Sequence, residues 1–387
     1  MKVYLIASLY NTDSPSGENL FVKNVIETFE RRLIEFETYL IQTPNKPQSF
    51  SYNIRTAFLQ ILNFGNSPKK KIKKFNPDVI LISNMFPNIS SRWMKKNKIP
   101  VLYFQHNFRM GCIAGTYSRD GQACFNCAKL NHFEGIKHRC YKNSFLFSSI
   151  ASFRFLVKRS KNIEIRRTEK FIVLEENAIE LLEIAGINQS KMKVLNNFLP
   201  DLKKNEYQEP SNSWIYSGRL SLEKGISQLI SIWPNSEKLD IYGDGILKDS
   251  IELKIKNRPN ISYKGFLDNE DLQTILRRYR GAVFPSVWRE GFPMVSLEYL
   301  RSGIPIIAAE GNAVAKIVKE AKSGVLFKLS DAKSLSEGLI DIANHRNKYA
   351  YNARSFYENN YSEEIWFSRL MKIINETVKN MEKAAND

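Results

Sequence analysis

Short apolar runs alternate with helical patterns along the whole chain, which is typical of parallel sheets built from β-α-β units. In the first half, the runs predict strands at Val3–Ser8, Asp78–Ser83, Val101–Gln105 and Phe171–Leu174. Continuous apolar runs of this length indicate strands that are buried on both faces. The pattern therefore predicts a parallel sheet covered by helices.

The second half repeats this arrangement after a polar stretch at 203–213 that has no periodicity. Its predicted strands are Trp214–Tyr216, Leu239–Tyr242, Ala282–Phe284 and Ile304–Ala308. We therefore expect an N-terminal domain at residues 1–200 and a second domain at 201–361. The segment 362–387 has apolar residues at helical spacing and predicts a helix that packs back toward the first domain.

Composition agrees with a globular protein, because 43% of the 387 residues are hydrophobic and 25% are charged. No apolar run reaches the ~18 to 20 residues of a spanning helix. Met1–Tyr10 is interpreted as a buried strand rather than an export signal, so the expected compartment is the cytoplasm. The net charge of +17 is uneven, with 30 basic and 15 acidic residues in 1–200 and 27 and 25 in 201–387.

Two doubly wound domains predict ligands at the carboxyl ends of their strands, with a cleft between the domains as the site. The chain has neither a Gly-x-Gly-x-x-Gly pattern nor a Gly-Lys-Ser/Thr phosphate loop. A nicotinamide oxidoreductase and a P-loop ATPase are therefore disfavoured.

Two carboxylates stand out after the predicted strand that ends near Phe284. Glu290 lies in a loop, and Glu298 lies in a helix that begins near Pro293. Carboxylates accept hydrogen bonds from sugar hydroxyls, and the helix-start amides of Gly291 and Phe292 suit a phosphate. The alternative is a solvated loop glutamate and a helix glutamate that is paired with a neighbouring cation.

Several segments, in order along the chain, resemble the retaining glycosyltransferases of family 4. Phe284–Glu298 resembles the Glu-x7-Glu motif of that family, while Tyr216–Gly225 and Ile241–Gly245 resemble the opening of its donor domain. Ser16–Leu20 resembles its glycine loop, and Gln105–Arg109 its histidine-bearing strand end. The resemblance implies the GT-B fold, in which two Rossmann-like domains face each other across a cleft.

The resemblance also implies roles for individual residues. Arg219 and Lys224 would hold the nucleotide diphosphate, Glu298 the ribose and Glu290 the donor sugar, and His106 would reach the reacting groups. Further residues implied to line the donor are Gly17, Gly218, Gly265, Phe266, Gly291, Phe292 and Pro293. The implied reaction is metal-independent transfer with retention, from a UDP- or GDP-sugar to a saccharide or lipid-linked acceptor in O-antigen or capsule synthesis.

The four cysteines of the chain fall within one segment, at Cys112, Cys124, Cys127 and Cys140. The Cys-x2-Cys pair has the spacing of a zinc knuckle, and four thiolates would close a structural zinc site. Such a site would order the long insertion at 110–142. Free reduced thiols and a disulfide are the alternatives, and the cytoplasm disfavours a disulfide.

Basic residues flank the apolar stretch Phe145–Leu156, which is too short to span a bilayer. The stretch suits an anionic membrane surface, and a solvated charged face is the alternative. A nucleic-acid partner is disfavoured because no aromatic residues interleave with the basic runs. A nucleotide-sugar epimerase of the same fold is a further alternative, and it would act without an acceptor.

Overall fold

A computed structural model describes residues 1–10, 16–43, 63–119, 122–127, 131–158, 162–202, 210–286 and 292–386. The chain forms two compact units. The first comprises Met1–Arg119, Cys124–Asn197 and Trp366–Asp387, and the second comprises Asp120–Ala123 and Phe198–Ile365. The acceptor and donor roles expected for the two domains stay predictions.

The first unit is built on a parallel sheet. Its strands are β1 (Lys2–Leu9), β2 (Glu35–Gln42), β3 (Val79–Asn84), β4 (Val101–Gln105), β7 (Lys170–Val173) and β8 (Met192–Val194). Two short strands, β5 (Ser118–Arg119) and β6 (Gln122–Ala123), lie in the cysteine-rich insertion. The order is β2-β1-β3-β4-β7-β8, and every neighbouring pair is parallel. The strand order reverses at β1, so the gap between β1 and β3 is the topological switch point.

Helices complete the first unit. They are α1 (Gly17–Arg31), α2 (Lys69–Phe75), α3 (Phe133–Lys137), α4 (Phe145–Lys158), α5 (Ile163–Arg167) and α6 (Asn177–Ile184), with 3-10 turns at Ser91–Lys96 and Gln189–Lys191. Helix α1 buries Phe21, Val22, Val25 and Phe29, which recur at helical spacing. This apolar face fixes the first turn of α1 close to the strand ends that it follows.

The second unit repeats the architecture. Its strands are β9 (Ser213–Ser217), β10 (Lys238–Tyr242), β11 (Ile261–Gly265), β12 (Gly281–Phe284), β13 (Ile306–Ala309) and β14 (Gly324–Phe327). The order is β11-β10-β9-β12-β13-β14, and all pairs are again parallel. This is the strand order of a Rossmann sheet, with its switch point between β9 and β12.

The remaining helices follow in chain order. They are α7 (Ile226–Ile232), α8 (Lys248–Ile255), α9 (Asn269–Leu276), α10 (Met294–Arg301), α11 (Ala313–Ala321), α12 (Ala332–Asn360) and α13 (Glu363–Asn386), with a 3-10 turn at Leu222–Lys224. Trp366 of α13 is buried, and its ring packs edge-on against Phe21 of α1 at 5.9 Å within the first unit. Burial of the indole provides a large apolar contact for this terminal helix.

The predicted α/β architecture with two parallel sheets is confirmed. All eight strands that the sequence predicts are present, with ends that differ by one or two residues. The helix expected to begin near Pro293 is α10, which begins at Met294. None of the helices in the described ranges is long and apolar enough to cross a membrane.

Candidate functional site

Polar side chains meet beyond the carboxyl ends of β3 and β4, beside the switch point of the first sheet. The carboxylate of Glu18, in the first turn of α1, accepts hydrogen bonds from the amides of Asn84 and Asn107, each at 3.0 Å. The carbonyl oxygens of these asparagines accept the backbone N–H groups of Phe86 at 2.9 Å and Arg109 at 3.2 Å. Glu18 thereby ties together the loops that follow β3 and β4.

Charge balance in this network depends on Glu18 and Arg109. Burial raises the pKa of the Glu18 carboxyl above its usual range, while the amide of Asn107 and the positive charge of Arg109 act in the opposite direction. The guanidinium of Arg109 lies over the ring of Phe86, 4.5 Å from its centroid. The network therefore fixes a cation and a carboxylate at the end of the sheet.

His106 follows the last residue of β4. Its Nε2 is 3.1 Å from Oγ of Ser83, and its ring packs against Phe21 with centroids 4.7 Å apart. Burial lowers the pKa of His106 to about 3, so the imidazole is neutral at physiological pH. His106 can exchange a hydrogen bond in this state but contributes no positive charge.

A cavity of about 60 Å³ lies beside this network in the first unit. Its lining includes Asn84, Phe86, His106, Asn107 and Arg109. Since one water requires roughly 10–15 Å³ of such space, the cavity has room for several waters or for one polar group of a ligand. The combination of amides, a neutral imidazole and a guanidinium suits a ligand rich in hydroxyl groups.

Glycines mark the corresponding edge of the second sheet. Gly218 follows β9, Gly243 follows β10, and Gly265 ends β11. A Cβ on Gly243 would overlap the carbonyl oxygen of Gly218, and the Gly243 N–H donates to the carbonyl of Gly265 at 2.9 Å. The absence of a side chain at Gly243 thus allows the ends of these strands to approach each other closely.

The two predicted cations follow β9. Arg219 is exposed two positions after the strand, and Lys224 ends the 3-10 turn that precedes Gly225. Gly225 adopts a left-handed backbone with φ of 70°, and a Cβ there would overlap the carbonyl oxygen of Pro285, just after β12. The turn that carries Lys224 is therefore held against the switch point between β9 and β12.

Helix α10 brings Glu298 to the same edge. Tyr299 anchors the helix, because its hydroxyl accepts the backbone N–H of Ser217 at 3.1 Å and lies 2.8 Å from Oγ of Ser217. Glu298 is buried, and burial raises its pKa to about 7, although the charge of Arg301 acts in the opposite direction. A buried carboxylate on a helix that is anchored to the end of β9 suits hydrogen bonding to hydroxyl groups.

The other predicted donor residues have different surroundings. Glu290 and Gly291 lie outside the described residues. Pro293 precedes the first residue of α10, and Phe292 is buried with its ring 5.5 Å from that of Tyr361, so this ring serves packing. Phe266 is half-exposed beside Gly265. The second unit thus gathers Gly218, Lys224, Gly265 and Glu298 at one sheet edge, whereas Gly17 and His106 belong to the first unit.

No disulfide joins the four cysteines, all of which lie in the part of the chain that the structure describes. Cys112 and Cys127 are buried, whereas Cys124 and Cys140 are partly exposed. Burial raises the pKa of Cys127 to about 11, with additional effects from the other three thiols, which shows that all four share one neighbourhood. Within the described ranges, no three His, Cys, Asp or Glu side chains are placed to hold a metal. The structure therefore does not show the predicted zinc site, although the donor set suits zinc.

Comparison with known proteins bears on the second unit. Residues 199–357, which contain Gly218, Lys224 and Glu298, match the family described as Glycosyl transferases group 1. This segment is a glycosyltransferase group 1 domain. The match covers each described donor-site residue of the second unit.

Most of the curated relatives of this domain are named as sugar transferases. O-antigen chain mannosyltransferase C of Escherichia coli is 27% identical over 161 residues, which are 40% of this chain and 43% of the relative. The UDP-Gal:alpha-D-GlcNAc-diphosphoundecaprenol alpha-1,3-galactosyltransferase of Escherichia coli is 24% identical over 291 residues, or 70% of this chain and 73% of that protein. The chain spans 41% to 46% of the length of the first curated relatives that it matches.

The whole fold also resembles a solved structure. The lipopolysaccharide outer core galactosyltransferase WaaB has a TM-score of 0.61 and 16% identity, with 97% of this chain and 99% of that one covered. At this identity the likeness shows the fold, which is that of GT-B glycosyltransferases.

Sequence reasoning missed part of the site in the first unit. It assigned Gly17 and His106, but not their neighbours Glu18, Asn84, Asn107 and Arg109. A signal existed, because polar residues directly follow the predicted strands that end at Ser83 and Gln105. Parallel strands place such residues at one edge of the sheet.

Proposed function

We propose that this chain is a retaining glycosyltransferase that moves a sugar from a nucleotide-diphosphate sugar to a saccharide or lipid-linked saccharide. The observation that carries the proposal is the position of Gly218 and Lys224 at the carboxyl end of β9, within a glycosyltransferase group 1 domain that also contains Glu298. The names of the relatives support a role in bacterial surface-polysaccharide synthesis, such as O-antigen or capsule.

The donor binds in the second unit. Arg219 and Lys224 stabilise the negative charge that develops on the leaving diphosphate, where preorganised cations contribute most to rate. Glu298 accepts hydrogen bonds from ribose hydroxyls, and Glu290 holds the donor sugar. The backbone amides of Gly291 and Phe292 bind the phosphate, and the backbone at 265–266 borders the base.

The acceptor binds in the first unit, where the cavity beside Asn107 and Arg109 receives one of its hydroxyl groups. The acceptor oxygen bonds to the anomeric carbon on the face from which the diphosphate leaves. The proton of the acceptor hydroxyl passes to a departing phosphate oxygen, so no protein nucleophile is required. Glu290 accordingly positions the sugar, and neutral His106 donates or accepts a hydrogen bond near the reacting groups.

Ligand binding tests this proposal first. The purified protein is screened with UDP- and GDP-sugars for thermal stabilisation, because a ligand at 100-fold its Kd adds about 2.7 kcal/mol. We expect one nucleotide class to stabilise the protein and Lys224→Ala to abolish that shift. If no nucleotide sugar stabilises the wild-type protein, the donor site is wrong. Turnover of a nucleotide sugar without an acceptor would favour an epimerase.

We further propose that transfer needs no metal and that the cysteine-rich insertion binds one structural zinc ion. The spacing of the four thiols and their shared neighbourhood support a zinc site in the cysteine-rich insertion. One equivalent of zinc per chain in purified protein, with transfer that persists after chelation, is the expected result. Less than one equivalent together with four freely titratable thiols would contradict the zinc site.

A lipid-linked acceptor would place the enzyme at a membrane surface. The diphosphoundecaprenol in the name of one relative supports this acceptor class. We accordingly propose a cytoplasmic protein that is peripheral on the membrane. Nothing in the comparisons favours the epimerase or nucleic-acid alternatives.

A further inference from the structure

Helix α4 presents apolar side chains to solvent. Phe145, Leu146 and Phe153 are 63%, 44% and 52% exposed, whereas Ser148 and Ser152 are buried. An ordinary surface helix has the opposite arrangement, with apolar residues inward and serines outward. The exposed apolar side chains of α4 therefore indicate an interaction surface.

Hydrogen bonds hold the helix in this orientation. Ser152 donates from Oγ to the carbonyl of His132 at 2.9 Å, and Oγ of Ser148 accepts the backbone N–H of Tyr141 at 3.0 Å. Rotation of α4 to bury its phenylalanines would break both bonds and leave buried polar groups unsatisfied. The hydrogen bonds of Ser148 and Ser152 therefore keep the apolar side of α4 exposed.

The exposed patch extends beyond α4. Phe133, the first residue of α3, follows His132 directly and is 62% exposed. We call Phe133, Phe145, Leu146 and Phe153 the α3–α4 apolar face. Patches of several large apolar side chains on a protein surface mark interaction sites.

Basic residues are frequent in the sequence segment that carries this face. Residues 121–162 contain eight Lys or Arg and one acidic residue, Glu134. Lys137, Arg139 and Lys142 are exposed. Glu134 already interacts with His138, with Nε2 3.4 Å from the carboxylate. The segment that carries the apolar face therefore has an excess of positive charge, which we call its basic border.

We propose that the α3–α4 apolar face docks on the surface of an anionic lipid bilayer. Phenyl rings enter the interface between headgroups and acyl chains, while the lysines and arginines contact lipid phosphates. Helix α4 has 14 residues, about 21 Å at 1.5 Å per residue, so it lies in the interface rather than across it. A second copy of this chain is a poorer occupant, because its identical basic border would repel the first.

This inference extends the membrane part of the proposed function by naming the surface and the lipid chemistry. Vesicle binding is measured without any sugar transfer. A failure of the docking surface is therefore distinguishable from a failure of the proposed transferase function. An inactive protein that binds vesicles through this face would uphold the docking surface, and an active protein that binds none would overturn it.

Co-sedimentation with vesicles provides the test. We expect the full chain to bind vesicles of phosphatidylglycerol and phosphatidylcholine, and to bind pure phosphatidylcholine weakly. The double variant Phe145→Ser/Phe153→Ser should lower the partition coefficient by about 10-fold or more. Ile246→Ser/Leu253→Ser is the matched control, since these side chains are 86% and 74% exposed in the second unit. Equal losses in both double variants would overturn the proposal.

Variants that reverse charge provide a second, independent test of the docking surface. Lys137→Glu/Lys142→Glu should weaken binding to anionic vesicles and reduce its salt dependence. Lys254→Glu/Lys256→Glu changes the net charge equally at exposed positions of the second unit and should bind as wild type. Thermal melting and circular dichroism confirm that each variant is folded. The proposal is overturned if the wild-type protein binds no vesicles, or if it self-associates and Phe145→Ser/Phe153→Ser makes it monomeric.

Discussion

The carboxylate of Glu18 accepts a hydrogen bond from the side-chain amide of Asn107 at 3.0 Å, although the two residues are 89 positions apart in sequence. The same carboxylate accepts a bond from Asn84. One side chain on α1 therefore sets the positions of two loops, and those loops carry His106 and Arg109. We interpret Glu18 as the positioning residue of the acceptor cavity.

Replacement of Glu18 should affect the acceptor more than the donor. Glu18→Ala removes the carboxylate that accepts hydrogen bonds from the amides of Asn84 and Asn107, at a cost of about 1–3 kcal/mol. We expect the acceptor KM to rise roughly 10-fold or more and the donor KM to stay unchanged, with a smaller effect for Glu18→Gln. Steady-state kinetics with each substrate varied in turn measures the difference.

Glu27→Ala is the matched control, because this carboxylate lies on the same helix and pairs with Lys23 and Arg31 at 4.0 and 3.6 Å on the surface. Its kinetics should match those of the wild type. An increase in the donor KM alone for Glu18→Ala would show that the cavity does not serve the acceptor.

Glu298 should make the stability of the protein depend on pH. Its pKa of about 7 in the folded state exceeds the ordinary value of 4.5, so the unfolded state loses its proton first as pH rises. Below pH 4.5 the neutral carboxyl group contributes roughly 3 kcal/mol to the free energy of unfolding. This contribution is lost as pH rises from 4.5 through about 7. Denaturant unfolding of wild type and Glu298→Gln at pH 5 and pH 8 isolates this contribution. Identical pH dependence in both proteins would contradict it.

The same carboxyl should link nucleotide binding to pH. Ribose hydroxyls donate more strongly to a carboxylate than to a neutral carboxyl group. We therefore expect nucleotide affinity to increase as pH rises through about 7, and to be flat in Glu298→Gln. Isothermal titration calorimetry in buffers of different ionisation enthalpy would also detect proton release. A pH-independent affinity in the wild-type protein would argue against contact between Glu298 and the nucleotide.

The glycine at 225 should tolerate no side chain. Gly225→Ala combines a left-handed backbone, which costs about 1–2 kcal/mol in an L residue, with overlap on the carbonyl of Pro285. Gly311→Ala is the control, because Gly311 also has a positive φ but no atom lies within 4 Å of its added Cβ. We expect Gly225→Ala to lower the free energy of unfolding more than the control and to weaken nucleotide binding. Equal losses of stability would show that the contact with Pro285 is unimportant.

Strand position explains which parts of the fold the sequence predicts. The eight predicted strands occupy the interior of the two sheets, where continuous apolar runs such as that of β3 are buried on both sides. The strands that the pattern missed include β2, β8, β11 and β14, which are the edge strands of those sheets. Their residues are partly exposed, as in β2, so their sequences lack a continuous apolar run.

The candidate site divides in a similar way. Gly218, Lys224 and Glu298 were predicted by a resemblance of local motifs, and each motif occupies a strand end or helix start in one unit. The contacts of Glu18 with Asn84 and Asn107 join segments 66 and 89 positions apart. A single sequence contains no local pattern for such contacts, because they depend on which strands become neighbours in the sheet.

The most direct test of the central claim is the stereochemistry of the product. The nucleotide sugar that gives the largest thermal stabilisation is incubated with a saccharide or lipid-linked acceptor, and nuclear magnetic resonance identifies the new linkage. We predict a glycoside that keeps the anomeric configuration of the donor, formed together with one nucleoside diphosphate, at a rate about 10²- to 10³-fold lower in Lys224→Ala. An inverted product, or wild-type turnover by Lys224→Ala, would contradict the account.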